Sequence, residues 1–458
     1  MNRQMNRQIN WQIVQQATRK TSRVLWVPVA LLIKRGVATI ALCLIGVTTS
    51  LAAQLPQSDS QKHLGVASCA SGVCHGSVRP RSGTRVLQNE YVTWSQRDRH
   101  RIAYQTLLTG QSQQIAANLG LPNAHEASIC LDCHADNVAP ALQGARFQIS
   151  DGVGCEACHG GSEHYISAHA DSDRERQVSL DAGLYPADDT QARAQLCMSC
   201  HLGTPEKMAS HDIMGAGHPR LSFELDTFSI LQPAHYVVDE DYRASKSYSD
   251  SMTTWVAGQT HGAVQTLQLI STRLDKGGLF PELALFDCHA CHHSMNDTRW
   301  QADLDGQLPA GSVRLNDANF LMLFAIAGVV SEPLEATLRK QVTELHQSVA
   351  ARRPLAKLIA AITSSIQKIE ASGAFQSSPK SATRLLSALV AAGSDDRFRD
   401  YVAAEQVVMA IDLLLSTAGL RETQSDWLNR LYEQVSDEDT FMPGELTLTM
   451  LEFESQLL

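Results

Sequence analysis

The chain has 458 residues, of which 44% are hydrophobic and 6% aromatic, and its formal net charge is −10. The apolar content supplies a packed core and excludes general disorder. The acidic balance, with no basic tract, argues against nucleic acid as a partner.

Arg19, Lys20, Arg23, Lys34 and Arg35 form a positive flank, and Gly36 to Leu51 is almost uncharged and mostly apolar. Ser50, Leu51 and Ala52 then place small residues where a signal peptidase cuts. Residues 1–53 read as a secretory signal that sends the chain to the periplasm. An uncleaved inner-membrane anchor is the alternative, because the apolar run of about 16–18 residues is at the lower edge for a bilayer span. Cys43 follows Leu42 rather than the small residue that a lipidation site needs. The destination is oxidising, so ordinary cysteine pairs there become disulfides.

The next cysteines carry a different signature. Four stretches read C-x-x-C-H: Cys130-Cys133-His134, Cys155-Cys158-His159, Cys197-Cys200-His201 and Cys288-Cys291-His292. A first one, Cys69-Cys74-His75, has four intervening residues. Both spacings can set two thiols beside the two vinyl groups of one haem, with the following His as proximal iron ligand. Chance predicts about 0.01 C-x-x-C-H motifs in a chain of this composition. Zinc ribbons also pair cysteines, but zinc requires no His after each second Cys, and disulfides require none at all. The expectation is about five covalently attached haem c groups.

A six-coordinate haem needs a further ligand, usually His or Met. Twelve His remain after the five proximal ones. Eleven lie between residues 63 and 293, in the span of the motifs. His164 follows Gly160-Gly161, too close to His159 for the same iron, so it would serve a neighbour. His293 follows His292 and points elsewhere. His211 and His218 flank the turn Gly215-Ala216-Gly217. His289 lies inside its own motif and is a weak choice. Met198 and Met208 are thioether alternatives.

These residues resemble the cytochrome c-554-type multihaem electron carriers, relatives of the octahaem hydroxylamine oxidoreductases. The likeness rests on four stretches between about residues 65 and 225, together with the first two cysteine pairs. They are Trp94 to His100 with Ala103-Tyr104; Gly152 to Gly160 with Ser162-Glu163-His164; Cys197 to Leu202; and Ala216 to Leu221. The resemblance implies distal ligation by His100, by His164 after the G-V-G-C-x-x-C-H-G block, and by His211 or His218. It associates the motif matching Cys130-Cys133-His134 with a five-coordinate haem. The chain departs from the four-haem pattern in its longer first motif, its extra motif at 288–292 and its C-terminal third.

Residues 54–300 read as loop-rich, with short helices around the motifs, organised by haems. Residues 313–458 contain no Cys and one His, and read as an all-α bundle. Phe320 to Val330 is predicted to be buried. Ser331 is predicted as an N-cap with Pro333 just inside the next helix. Leu355, Leu358, Ile359, Ile362, Ile366 and Ile369 form a further stripe. His346 lies off its helix's apolar stripe and is expected in solvent. The fold class expected is therefore mainly α.

Two functions are open at this point. One is electron transfer between redox proteins, with basic or membrane-bound partners. The other is a redox enzyme acting on a nitrogen or sulfur oxyanion at one open haem. Membrane contact is expected only through the N-terminal segment.

Overall fold

The computed structural model describes residues 54–82, 86–170, 175–274, 281–292, 308, 312–371 and 377–457. The export segment and His293 lie outside them. The described residues are mainly helical and contain no strand. Isolated bridges join His63 to Gln143 and Phe286 to Leu315.

The first half has short helices: α1 (Glu90–Arg97), α2 (Gly110–Asn118), α3 (Ser128–His134), α4 (Cys155–His159), α5 (Thr190–His201), α6 (His211–Gly215), α7 (Leu225–Leu231) and α8 (Glu240–Ser245). Three of them end on a motif. Asp189 caps α5 by accepting from the Ala192 N–H at 2.9 Å, and the helix then delivers Cys197, Cys200 and His201. Among the described residues of this half, one small cluster of buried apolar residues forms: Leu107, Ala116, Ala124, Leu131 and Ala135. So few apolar side chains cannot fill the interior of such a region, which is what a haem-organised segment requires.

The large core lies beyond it. Helix α9 (Ser251–Arg273) buries Trp255, Ala263, Leu267 and Ile270. The same core draws on α10 (Ala318–Val330), α11 (Glu332–Ala350), α12 (Ala356–Ala371), α13 (Pro379–Ser394), α14 (Tyr401–Ala418), α15 (Ser425–Gln434) and α16 (Pro443–Leu457). The sequence grouped α9 with the haem region, and the helix faces both: it joins this second core and also packs against α5, with Gln265 donating to the Gly203 carbonyl at 2.8 Å. Helix α14 is long and apolar enough to cross a membrane, yet Val407, Val408, Ile411 and Leu414 are fully buried in the core.

Of the apolar run Phe320–Val330, residues through Ala327 are buried as expected, while Gly328, Val329 and Val330 are half-buried. Ser331 occupies the N-cap position of α11, but its hydroxyl makes no capping bond. His346 is not in solvent. It is 3% exposed, accepts from the Leu315 N–H at 3.3 Å and lies 3.2 Å from the Asp317 carboxylate. Asp317 is also held by Arg314, at 2.8 Å. A buried acid supplied from outside the helix thus draws the His inward, which helical periodicity does not reveal.

Asp400 caps α14 by accepting from the Ala403 N–H at 2.8 Å. Burial first, then the charges of Asp287 and Asp317, push its carboxyl from 3.8 up to about 7, with Arg314 opposing them. The folded state then holds a proton that the unfolded chain has released. Stability should fall as pH rises from about 4 to about 7 and stay lower above. Asp400→Asn keeps a capping oxygen and removes the charge. We expect it to raise the unfolding free energy near pH 8 by on the order of 2 kcal/mol and to flatten that slope in denaturant titrations. A slope equal to the wild type's would contradict this.

Candidate haem sites

Each motif His meets one other His, ring to ring. His75 lies 6.0 Å from His169 and His134 6.3 Å from His218. His159 lies 6.2 Å from His235, His201 6.2 Å from His100, and His292 6.3 Å from His211. The rings of the first pair are nearly parallel, at 4°. Those of the next three are nearly perpendicular, at 83–89°. Two imidazoles bound on opposite sides of one metal, with metal–nitrogen bonds of about 2 Å, have ring centres about 6 Å apart. The spacing therefore fits one iron between each pair.

The other ring nitrogen supports this. Nδ1 of His75 meets Glu90 at 2.9 Å, and that of His100 meets Asp98 at 2.9 Å. Nδ1 of His134 faces the Ala103 carbonyl at 3.1 Å, of His169 the Tyr165 carbonyl at 3.0 Å, and of His218 the Pro219 carbonyl at 2.7 Å. Occupying Nδ1 fixes the ring and leaves Nε2 for a metal. Burial would raise Asp98, but hydrogen bonds from His100 and Gln232 hold it down at about 2. Burial pushes His159 down to about 4 and also lowers His134, His201 and His235. These rings are neutral, the form that binds metal.

Backbone geometry sets the pairs. Gly152 has φ +73°, and a Cβ there would stand 2.8 Å from the His100 carbonyl oxygen. The adjacent Val153 N–H donates to that same oxygen at 3.1 Å. The G-V-G-C block thus needs glycine so that the His100 segment can lie against the third motif. Gly152→Ala should cost at least about 1–2 kcal/mol from the left-handed backbone alone. A thermal melt as stable as the wild type's would refute that reading.

A buried ionic clamp sits beside the second and third motifs. His63 is fully buried, with Nδ1 2.8 Å from Asp136 and Nε2 3.6 Å from Asp59. Among the described residues, His63, Asp136 and Glu156 are the acid and His/Cys group with ligand atoms close enough to share an ion, within 4.8 Å. Glu156 is already satisfied by four donors: the N–H groups of Leu64, Gly65 and Ser162 and the Ser162 hydroxyl. Burial would lower His63, but the hydrogen bonds of Asp136 and Asp59 and the charges of Asp136 and Glu156 hold it at about 10. Its proton supplies the positive charge the carboxylates need. The cluster is a strut joining residues 59–65 to two motifs.

The ten motif cysteines are free of disulfides. Of the distal ligands expected from sequence, the structure brings His100, His211 and His218 to motif His rings. His164 is exposed and is not the partner. The next turn, Tyr165–Ala168, buries Tyr165 and carries His169 to His75 instead. His293 lies outside the described residues. His235 and His169 were not singled out by sequence. Met198, on α5, is 4% exposed, and Met208 packs against the second core.

Residues 68–160, which hold the first three motifs, match the family model of cytochrome c554 and c-prime. No curated protein and no solved structure matches the chain. The motifs, the paired His rings and this match converge, so the segment 68–160 is of cytochrome c554 type and the chain is a multihaem c-type cytochrome, with covalently bound haem c, of electron transfer.

Proposed function

We propose that the chain carries five haems, each closed by two His, and works as an electron relay in the periplasm rather than as an enzyme. The observation that carries this reading is the five ring pairs, each one motif His against one other His, at 6.0–6.3 Å. Haem iron supplies the one-electron ferric–ferrous change. The chain supplies the cysteines that fix each group, two imidazoles for each iron, and acids or carbonyls that aim those imidazoles.

The ring of His218 against His134 favours a closed iron at the second motif. This differs from the five-coordinate haem that the family resemblance implies there, and it leaves no site for an oxyanion at that motif. Bis-His ligation at every motif is the arrangement expected of a carrier, because no iron offers a free position to a substrate.

The test is the intact mass of protein produced in a host that exports and matures c-type cytochromes. We expect five haem additions and an N-terminus near Ala53. A count below five in wild type, unchanged when Cys288 and Cys291 are replaced by Ala, would exclude the fifth haem. Retention of residues 1–53 would replace export and cleavage by anchoring.

A further inference from the structure

The motifs follow one another in space in a different order from the sequence. Tyr165 donates its hydroxyl to the Gly160 carbonyl just after motif three at 2.9 Å and meets the ring of His169, which faces His75, so motifs one and three are neighbours. The Cys200 sulfur lies 3.9 Å from the Asp132 carbonyl oxygen, so motifs two and four are neighbours. The Val153 N–H beside motif three donates at 3.1 Å to the carbonyl of His100, which faces His201, joining three and four. Helix α6 begins with His211, which faces His292, and leads into His218, which faces His134. That joins two and five. The spatial order is one, three, four, two, five, so the ends are the first and fifth motifs. Cys74 and Cys291 belong to those ends, and they are the exposed members of the ten motif cysteines.

The first end has an unusual surface. Val73 and Val78 are 73% and 86% exposed, and Arg79 and Arg81 beside them are exposed too. From Cys69 to Asn89 the sequence holds arginines but no Asp or Glu, in a chain of net charge −10. The next acid, Glu90, is turned onto His75. The loop is also held in place. Arg81 donates from Nη2 to the Gly72 carbonyl at 3.1 Å and from its N–H to the Leu87 carbonyl at 2.8 Å, and the Ser77 N–H donates to Gln88 at 2.7 Å. An exposed apolar knob with a cationic rim is what a transient partner of opposite charge recognises.

We propose that the loop Val73–Arg81 is the docking surface for an acidic redox protein, which exchanges electrons at the first-motif end of the relay. This rests on the relay reading above. It runs against the net charge, which would steer a basic partner to the molecule as a whole. The local charge decides the docking face, since exposed charges act over roughly 10 Å at ordinary salt. The exchange is one electron from the partner's reduced centre, which is left oxidised, to the protein, with no bond made or broken.

The probe is a plant-type [2Fe–2S] ferredoxin, a small acidic protein. Two quantities are read on full-length holoprotein: the Kd of the oxidised pair at a biosensor, and the rate of reduction by photoreduced ferredoxin. Both should weaken as salt rises. Arg79→Glu with Arg81→Glu should weaken binding and slow reduction about tenfold or more at low salt, and reduction by a neutral photoreduced flavin should stay the same. If the pair costs a haem, Arg79→Glu alone and Val78→Asp are read instead, and each should weaken binding at full haem content. Unchanged binding in all these variants, with a spectrum insensitive to carbon monoxide, overturns the docking surface and leaves the relay standing. A carbon monoxide shift in the reduced wild type overturns both.

Discussion

Replacing His218 with Ala should convert a protein blind to carbon monoxide into one that binds it at a single iron. His218 stands 6.3 Å from His134, with Nδ1 held by the Pro219 carbonyl at 2.7 Å. Among the described residues, no other His ring is paired with His134. Its loss leaves that iron with one protein ligand, and an open ferrous position accepts a diatomic. About one fifth of the haem absorption should then shift under carbon monoxide, with the covalent haem count unchanged because the cysteines are intact. Methionine at 218 could religate the iron weakly, so Ala is the sharper change. The same experiment on His164→Ala should show nothing, since His164 is exposed and faces no motif ring. A shift in the His164 variant and none in the His218 variant would reverse the assignment.

The largest stability effect is expected at His63. Replacing it with Leu leaves Asp136 and Asp59 without their cation while Glu156 keeps its own donors. Removing one partner of a buried ionic group leaves uncompensated charge and costs about 3–5 kcal/mol. The pH dependence has a definite sign. His63 is raised from 6.5 to about 10 in the folded state. Its contribution is full below about pH 6.5 and is lost as pH rises through about 10. The wild type should therefore lose stability from pH 7 to pH 10 faster than His63→Leu does. Equal denaturant midpoints for the two proteins at pH 6 would refute the clamp.

The sequence showed some of this and hid the rest for physical reasons. The motifs were legible because haem attachment needs two thiols and an imidazole within one turn of chain. His100, His211 and His218 were legible from their local setting. The choice between His164 and His169 was not, because it turns on Tyr165 being buried, with its hydroxyl on the Gly160 carbonyl at 2.9 Å. His235 lies two residues after Pro233 in a loop with no periodic signal, and only the folded chain brings it to His159. The helical nature of residues 313–458 was readable from apolar stripes. The membership of α9 in that core was not, since most of its partners there are helices beyond residue 317. His346 was misread for a related reason: Asp317 and Arg314, which bury it, precede its helix.

The most direct test of the account is the reduced-minus-reduced-plus-carbon-monoxide difference spectrum of the wild-type protein at full haem content. Five closed irons predict a flat difference across the haem bands. A shift in about one fifth of the signal would contradict the account, and would place an open iron, and with it an enzyme, where the relay is proposed.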